Sequence, residues 1–508
     1  MSLTLKEEFI QSRSYIWNAL IIIILTTLPQ FLMSQSQKHF FIILLVTFFL
    51  LLVSKTSKTI FALFVTYLLV INLLQANVAF HWGGGSDDLS PRIEVAMISP
   101  SYETTEYLKE FIDVRDYAML LYTLIVLVLL LWFVVYHKHN NKRLKKYAFS
   151  LALLVALILQ NQQPFKLIKT FVSLNERSDI IHARNTFLQQ NQSNIKPMKS
   201  LRYDKIIIIQ GEAANKNFMH IYGYRVATTP YFTKLLKEHT LSTFNAIAPS
   251  NQTRFSIPMI FSKADVHNWR DNFIHSQSLV SDLRQYGYKT YWISNQGRIG
   301  EHEDYITSIA VEADNTSFLH QNSKTSRHTD RVISEYLTHQ KLNSEPEMFV
   351  FHLMGSHVGY RARYEPKNAL FPHPKDVIHE YLNTIHFTDS IIHDVIEHFN
   401  HNGLKILVVY LSDHGEVVTL KKHGHGLLPT FKDEYDIPLV VYSNIKNSRI
   451  DEVQQQHRDK IINAESLHSF VSYISGATDD VNLSYSNKIF SLDPKNIYDY
   501  TKLEYYTP

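Results

Sequence analysis

Residues 405–416 read KILVVYLSDHGE, an apolar run that ends in aspartate, histidine and glutamate. Two other runs have the same form: 205–212 read KIIIIQGE, and 348–357 read MFVFHLMGSH. Further runs lie at 290–293 and 439–442. Each run holds four to seven residues rich in β-branched or aromatic types. Such runs are typical of strands that are buried on both faces of a parallel sheet.

Amphipathic helical patterns separate these runs, most clearly at 377–399. The alternation predicts an α/β domain with a mostly parallel sheet and helices on both faces. In open sheets of this kind, ligands bind just beyond the carboxyl ends of the strands. We therefore expect Glu212, His357, Asp413 and His414 to lie together at one edge of the sheet.

Glutamate, aspartate and histidine together form a set that binds divalent metals. Two more stretches add reactive groups: 248–258 (APSNQTRFSIP) brings hydroxyls, and 423–426 (HGHG) brings imidazoles on a glycine-rich loop. Taken singly, each residue has an ordinary explanation. Asp413 suits a turn, Glu212 suits the first turn of a helix, and Thr253 or its polar neighbours suit a helix cap. The coincidence of three strand ends favours the metal site.

Five apolar stretches without Asp, Glu, Lys or Arg precede residue 165 and predict a membrane domain. A helix needs about 20 apolar residues to cross the hydrocarbon core. The second and fifth stretches are shorter, so they either recruit flanking polar residues or form re-entrant or interfacial helices. The stretches are 16–33, 40–53, 60–79, 118–136 and 147–159.

The charged residues between these stretches predict their orientation. Lysines separate the second and third stretches, and lysines and arginine crowd 138–146, so both loops belong on the cytoplasmic side. The acidic segment 81–116 and everything after residue 163 then lie outside. We expect a transmembrane domain at 1–163, a bridging segment at 164–200 and an outer α/β domain at 201–508. The bridging segment forms either an amphipathic helix on the membrane surface or a plain linker helix.

Composition excludes several classes of function. The chain has 508 residues, a formal net charge of +3 and no cysteine. The balanced charge argues against a nucleic-acid-binding protein. The absence of cysteine excludes disulfides, thiolate metal sites and cysteine nucleophiles. Metal ligands must then be oxygen or imidazole, and the nucleophile must be a hydroxyl.

The motifs, taken in order, resemble those of the membrane-anchored phosphoethanolamine transferases of the Gram-negative envelope. That family belongs to the alkaline phosphatase/sulfatase superfamily. The resemblance covers nearly the whole chain, and five motifs in sequence are specific where any one alone is weak. The matching motifs are Gly211-Glu212 with Tyr222-Gly223-Tyr224, Thr253 five residues before Pro258, Met354-Gly355-Ser356-His357, Ser412-Asp413-His414-Gly415-Glu416, and His423-Gly424-His425-Gly426.

The resemblance implies an alkaline-phosphatase/sulfatase-like fold and a zinc-dependent activity. Phosphoethanolamine would move from phosphatidylethanolamine to lipid A or a core sugar of the lipopolysaccharide, through a phospho-threonine intermediate. By position, Thr253 matches the nucleophile. The family's ligands for one zinc match Glu212, Thr253, Asp413 and His414, and a second zinc during turnover stays open.

Other residues match the family's substrate contacts. His357 and His425 match the histidines that hold the transferred phosphoryl group or a second zinc, although His423 is nearly as good a match as His425. In the outer loop, Thr104 and Glu106 look like contacts to the lipid donor. The resemblance also implies a multi-pass inner-membrane protein among membrane lipids, with its catalytic domain in the periplasm, and we expect a monomer.

Two alternatives remain at the level of sequence. A phosphoglycerol transferase shares the five-helix anchor and the threonine nucleophile, and an inactive, envelope-organising homologue would keep the fold alone. A sulfatase is disfavoured because its formylglycine motif is absent. One departure from the family pattern concerns the head group: Ala213, Ala214 and Asn215 follow the first glutamate where relatives carry Ser and Arg, which leaves Lys216 as the nearby cation.

Overall fold

The structure, a computed structural model, describes residues 163–191, 202–297, 305–319, 329–401, 403–492, 494 and 496–507, with scattered helical positions between 66 and 129. The chain divides into two compact units, Met1–Ser173 and Leu174–Pro508. Among the described residues, we find no helix with the length and hydropathy needed to cross a bilayer. Nearly all of the five apolar stretches and the whole of loop 81–116 lie outside the described residues, so the membrane domain stays a prediction.

An eight-stranded sheet forms the centre of the second unit. Its strands are β1 (Lys205–Gly211), β2 (Leu241–Ile247), β3 (Lys289–Ser294), β4 (Asn315–Phe318), β5 (Glu347–His352), β6 (Ile406–Ser412), β9 (Asp436–Ser443) and β10 (Ile462–Asn463). Outside it, β7 (Val417–Val418) pairs with β8 (His423–Gly424), and β11 (Lys488–Phe490) pairs with β12 (Ile497–Asp499). The large sheet has the order β10-β2-β9-β6-β1-β5-β3-β4. Strand β9 runs antiparallel to β2 and β6, and the other pairs within this sheet are parallel.

The register of the central strands brings their carboxyl ends to one level. Strand β1 lies between β5 and β6, with Ile208 opposite Val350 on one side and Val409 on the other. At its end, Gly211 stands opposite Ser412. The residues that follow these two positions therefore leave the sheet side by side.

Helices cover both faces of the sheet. They are α1 (Gln163–Gln190), α2 (Pro230–Lys237), α3 (Thr253–Phe261), α4 (Trp269–Ile274), α5 (Leu279–Gln285), α6 (Tyr305–Ala310), α7 (Arg331–Thr338), α8 (Val377–Phe399), α9 (Ser448–Gln456) and α10 (Leu467–Ser475). Alternate side chains of β1 point to opposite faces. Ile206 and Ile208 pack in one apolar cluster with α3 and α10, whereas Ile207 and Ile209 pack in another with α2 and α8. Burial on both faces explains why β1 has no polar alternation.

The predicted α/β class with a mostly parallel sheet is confirmed. The runs predicted at 205–209, 290–293, 348–353 and 405–411 form β1, β3, β5 and β6, and the helix predicted at 377–399 has the same bounds as α8. The run at 439–442 lies within β9, which is the antiparallel strand.

The second half of α1 packs against the α/β unit through a buried arginine. Arg184 is fully buried, and its guanidinium pairs with Glu312 at 2.6 Å. It also donates to the carbonyl oxygens of Phe273 and, at 2.8 Å, of Ser276. Residues 174–190 thus belong to the compact unit of the sheet, while the boundaries predicted at 163 and 200 stay a prediction.

Candidate active site

Glu212 lies directly after β1, held in place by the loop that follows β5. The amide N–H of Ser356 donates to the backbone oxygen of Glu212 at 2.8 Å. Gly355 adopts a positive φ of 51°, and a Cβ there would lie only 2.7 Å from the same oxygen. Glycine is needed at this position both for the left-handed backbone and for the close approach. The Glu212 side chain is itself buried, at 1% exposure.

Asp413 and His414 follow β6 and are fully buried. Asp413 Oδ1 accepts the amide N–H groups of Ala213, at 3.1 Å, and of His414, at 2.8 Å. His414 Nδ1 lies 2.8 Å from the carbonyl oxygen of Gly415. Because a carbonyl can only accept, Nδ1 carries the proton of this hydrogen bond and Nε2 faces the other site residues.

Thr253 is the first residue of α3 and is partly exposed. Its Oγ1 lies 3.3 Å from Glu212 Oε2 and 3.3 Å from His414 Nε2. The Ser256 hydroxyl, one turn along the helix, donates to the backbone oxygen of Asp413 at 2.5 Å. This bond holds the start of α3 against the end of β6, so the Thr253 hydroxyl is positioned and still reachable from outside.

Glu212, Asp413 and His414 bring one ligand atom each to within 4.8 Å of the others. Glu212 Oε1 and Asp413 Oδ2 lie 3.2 and 3.4 Å from His414 Nε2. Both oxygens are buried without a hydrogen-bond partner among the described residues. Orphaned buried carboxylate oxygens are costly unless a cation or donor meets them. The donor set, two carboxylates and an imidazole, therefore fits a divalent metal such as zinc.

The pKa shifts of these three side chains also indicate that the cluster needs a positive charge at its centre. Burial, with the neighbouring Asp413 charge, raises the pKa of Glu212 to about 8. Burial alone would lower the pKa of His414, but the Asp413 and Glu212 carboxylates outweigh it and raise that pKa to about 10. Burial would likewise raise the pKa of Asp413, yet the adjacent imidazolium lowers it. A bound metal ion would supply this positive charge, which a proton on His414 otherwise supplies.

The two other predicted histidines lie beside this cluster. The His425 ring lies 4.0 Å from the His414 ring, and the His357 ring lies 6.4 Å from the His425 ring, measured between centroids. His423, the alternative to His425, has its ring 5.8 Å from that of Tyr360. The structure thus brings His357 and His425 together with Glu212, Thr253, Asp413 and His414. Thr104 and Glu106 lie outside the described residues.

Glu416 contacts His425, a connection that sequence reasoning missed although two neighbouring motifs contain these residues. Its Oε2 lies 2.9 Å from His425 Nδ1, and its Oε1 accepts the Tyr360 hydroxyl at 2.8 Å. Burial raises the pKa of Glu416 to about 8. A carboxylate on Nδ1 fixes the orientation of an imidazole and leaves Nε2 for other contacts.

Gln296 is a second residue that the sequence reasoning missed. Its Nε2 donates to Glu212 Oε2 at 3.2 Å and to the backbone oxygen of Leu353 at 2.9 Å. It follows the end of β3, so the rule that drew attention to the other strand ends would have found it as well. A neutral amide side chain does not by itself indicate a metal site, so its residue type was no reason to select Gln296.

Lys216, the cation nearest to Glu212 in sequence, is engaged elsewhere. Its Nζ donates to Asn245 Oδ1 at 2.7 Å and to the backbone oxygen of Ala246 at 2.9 Å, and it pairs with Asp436 at 3.1 Å. The ammonium is therefore a structural group between β2 and β9.

Comparison with known proteins identifies relatives for this fold and site. The chain is 27% identical over 270 residues to the phosphoethanolamine transferase OpgE of Escherichia coli K12, which covers 51% of this chain and 49% of that protein. It spans about half the length of the curated relatives it matches.

Two solved structures have a similar fold. The integral membrane protein lipooligosaccharide phosphoethanolamine transferase A (EptA) of Neisseria meningitidis matches with a TM-score of 0.60 and 16% identity, over 92% of this chain and 95% of that one. The C-terminal periplasmic domain of EptC from Escherichia coli, solved in complex with zinc, matches with a TM-score of 0.52 and 21% identity, over 61% and 98%. The sulfatase family model matches residues 204–476, more than half of the chain. This chain therefore belongs to the sulfatase family.

Proposed function

We propose that this protein transfers phosphoethanolamine from phosphatidylethanolamine to an envelope glycolipid, either lipid A or a core sugar. One observation carries the proposal: Thr253 Oγ1 lies 3.3 Å from both Glu212 and His414, beside a buried ligand set that fits a divalent metal. The relatives support the choice of transferred group. OpgE and EptC of Escherichia coli K12 are named phosphoethanolamine transferases, and another relative is named Kdo(2)-lipid A phosphoethanolamine 7''-transferase.

Zinc is the metal we propose, because the ligands are imidazole and carboxylate and because the EptC domain was solved with zinc. The residues that would hold it are Glu212, Thr253, Asp413 and His414. When bound, zinc would lower the pKa of the Thr253 hydroxyl and neutralise charge on a phosphoryl oxygen. His414, Glu416 and His425 form a second group with ligand atoms within 4.8 Å of one another, so a second ion during turnover belongs to the same proposal.

In the first step, Thr253 Oγ1 attacks the phosphorus of the donor. The bond from Oγ1 to phosphorus forms as the bond from phosphorus to the diacylglycerol oxygen breaks. The hydroxyl proton of Thr253 passes to Glu212 Oε2, which lies 3.3 Å from Oγ1, because Nε2 of His414 faces the metal site. The leaving diacylglycerol oxygen takes a proton, and the covalent product is a phosphoethanolamine ester of Thr253.

The two outer histidines have different tasks in this scheme. Burial, followed by the Arg363 charge, lowers the pKa of His357 to about 3, so His357 is neutral and binds the phosphoryl group by hydrogen bonding. His425, oriented by Glu416, is the group we assign to donate a proton to the leaving oxygen. In the second step His425 accepts the proton of the acceptor hydroxyl as that oxygen forms its bond to phosphorus and the bond from phosphorus to Thr253 Oγ1 breaks. The Thr253 oxygen takes back its proton from Glu212, which restores the enzyme.

We further propose the arrangement in the membrane. Five crossings in 1–163 would anchor the chain in the inner membrane, with loop 81–116 outside and Thr104 and Glu106 as donor contacts. Residues 164–200 would bridge to a periplasmic catalytic domain at 201–508, in a monomer. The apolar stretches and the similarity to EptA over 92% of this chain support this arrangement.

The test uses the purified full chain with phosphatidylethanolamine labelled in its acyl chains. We expect zinc-dependent release of labelled diacylglycerol, with a loss of at least about 100-fold in Thr253→Ala, because the attacking oxygen is removed. Thr338→Ala, at an exposed position of α7, is the matched control and should retain the wild-type rate.

Two outcomes would contradict the proposal: no diacylglycerol release, or release that persists in Thr253→Ala. Labelled phosphatidylglycerol in the same assay separates a phosphoglycerol transferase from the proposed activity. Mass spectrometry of envelope glycolipids from cells with and without the protein then identifies the acceptor as lipid A or a core sugar.

A further inference from the structure

Asp330 is a buried carboxylate that fastens two loops of the site to each other. It immediately precedes α7, and it is 1% exposed. Its Oδ2 accepts the N–H of Gly355 at 2.8 Å, and its Oδ1 accepts the N–H of Met354 at 2.8 Å. Oδ1 also accepts the side-chain amide of Asn295 at 2.8 Å. Met354 and Gly355 lie in the loop after β5 and Asn295 lies in the loop after β3, so one carboxylate holds both loops.

The loop after β5 connects Asp330 to the backbone of Glu212. The N–H of Ser356, the residue after Gly355, donates to the backbone oxygen of Glu212 at 2.8 Å. Gly355 packs so closely on this segment that a Cβ would lie 2.8 Å from the Glu212 nitrogen. Because Asp330 fixes the N–H of Gly355, a change in this carboxylate would move the backbone on which Glu212 rests.

The loop after β3 connects Asp330 to the side chain of Glu212. Asn295 donates to Asp330 through its side chain and to the backbone oxygen of His352, at 2.9 Å, through its own N–H. The next residue, Gln296, donates to Glu212 Oε2 at 3.2 Å. Glu212 is therefore held both through its backbone and through its carboxylate, and both connections lead to Asp330.

A third connection leads from Asp330 to His357. Gly355 lies two residues before His357 in the same loop. Arg363, which is buried, donates to the backbone oxygen of His357 at 3.2 Å. Burial raises the pKa of Asp330, and the positive charge of Arg363 opposes this shift. The loop that carries His357 is thus held by hydrogen bonds from Arg363 on one side and to Asp330 on the other.

We propose that Asp330 is a positioning residue of the metal site, which places the Glu212 carboxylate and thereby sets the affinity of the site for zinc. Its hydrogen bonds are to the two loops, so it acts on the metal through Glu212. The inference rests on the zinc site of the proposed function. It deepens that function by naming a residue outside the ligand set on which zinc binding depends.

The experiment needs a control, because a buried carboxylate can be required for folding alone. Asp389 is 2% exposed and accepts the N–H groups of Tyr231 and Phe232, at 2.8 and 3.1 Å. These residues begin α2 (Pro230–Lys237), a helix that carries none of the proposed metal ligands. Asp389→Asn is therefore the matched control for Asp330→Asn: each changes a buried carboxylate that accepts two consecutive backbone N–H groups.

Zinc affinity is measured on the purified full chain by competition with a zinc-chelating dye. Asp330→Asn keeps the size of the side chain but directs an NH₂ group towards a donor that now meets an oxygen. We expect the zinc affinity to fall about 10-fold, as it does when partners of metal ligands are lost. Asp389→Asn should keep the wild-type affinity, even though denaturant unfolding should show both variants to be less stable than the wild type.

A spectroscopic measurement separates positioning from a loss of stability. Co²⁺ bound in place of zinc has visible absorption bands that depend on the geometry of its ligands. We expect these bands to change in Asp330→Asn and to match the wild type in Asp389→Asn. Wild-type zinc affinity and wild-type bands in Asp330→Asn would overturn the proposal. An equal loss of affinity in Asp389→Asn would overturn it as well.

A second variant serves if Asp330→Asn does not fold. Asn295→Leu keeps the size of the side chain and removes one donor to Asp330, which weakens the connection through Gln296. The zinc affinity should fall by a smaller factor than in Asp330→Asn, because the connection through Gly355 remains. Wild-type affinity in Asn295→Leu would overturn the proposal.

Diacylglycerol release by the wild-type chain is measured separately. Release by the wild type together with unchanged zinc affinity in Asp330→Asn would overturn the positioning role and leave the proposed activity intact. Weakened zinc binding in Asp330→Asn, without release by the wild type, would contradict the proposed activity and leave the positioning role intact. The two proposals can therefore fail separately.

Discussion

At the scale of single residues, the site consists of groups that react and groups that hold them in place. The ligand atoms of Glu212, Asp413 and His414 lie close together. Neighbouring groups that take no part in the reaction hold these side chains in place. Gln296 donates to Glu212, and the Gly415 carbonyl accepts from His414. Contacts around a metal ligand of this kind orient its lone pairs, and losing one typically weakens metal binding 10- to 100-fold.

Gln296 can be tested as a positioning residue. Gln296→Met keeps the volume of the side chain and removes the donor to Glu212 Oε2, so the zinc affinity should fall about 10- to 100-fold. A competition titration of the purified full chain against a zinc-chelating dye measures this without turnover. Gln455→Met, at an exposed position of α9, is the control. Equal zinc affinities for the two variants would show that the amide does not position the ligand.

His352 makes folding depend on pH. Its side chain is 2% exposed at the end of β5, and burial lowers its pKa from 6.5 to about 4. Between these values the unfolded chain binds a proton that the folded chain excludes, so this residue lowers stability as pH falls from 6.5 towards 4. The difference amounts to roughly 3 kcal/mol at the acid end.

His352→Asn keeps a polar group near Ser294 Oγ, which lies 3.1 Å from His352 Nδ1, and removes the titration. Denaturant unfolding of the full chain at several pH values should show a smaller loss of stability for this variant between pH 6.5 and 4. His401→Asn, at an exposed position, should retain the wild-type slope. A slope unchanged in His352→Asn would disprove the assignment.

At the scale of elements, the sequence predicts strands better than it predicts their directions. Strands β1, β5 and β6 are buried on both faces and β3 is buried over its second half, and their apolar runs could be read directly. The run that became part of β9 looks the same, because an antiparallel strand inside a covered sheet is equally buried. Strand β2 reads LSTFNAI, with an exposed Asn245, and its pattern is too polar to stand out.

The contact between α1 and the sheet unit depends on Arg184 and Glu312, which pair at 2.6 Å in a buried position. Arg184→Met would leave the Glu312 carboxylate buried without its partner, so we expect a loss of about 3–5 kcal/mol in the free energy of unfolding. Adding Glu312→Gln to this variant should recover part of the loss, because the uncompensated charge is gone. Denaturant unfolding of the full chain measures both variants.

The control for this pair is the ion pair between Arg449 and Asp479, in which the aspartate side chain is 72% exposed. Asp479→Asn should change stability by less than about 1 kcal/mol, since solvent screens such pairs. If Arg184→Met cost no more than Asp479→Asn, the buried pair would not be what holds α1 to the sheet.

At the scale of the whole molecule, the parallel pairing of β1 with β6 brings the site residues together. Glu212 and Asp413 are some 200 residues apart in the chain, yet they leave adjacent strands at the same level because Gly211 stands opposite Ser412. Thr253 joins them from the start of α3, on the loop after β2. Three distant segments thus meet within 3.5 Å of one another, as the contacts of Thr253 Oγ1 show.

The sequence by itself determined the kinds of chemistry open to this protein. Without cysteine the ligands had to be oxygen or imidazole and the nucleophile a hydroxyl, and apolar runs with polar endings located the strand ends, because burial and side-chain type are local properties. The tertiary structure alone decided which side chains meet. It brought His425 to His414, engaged Lys216 with Asp436, and added Gln296 and Glu416 to the site. Those contacts depend on strand order and register, which arise from pairing between distant segments and cannot be read from any one segment alone.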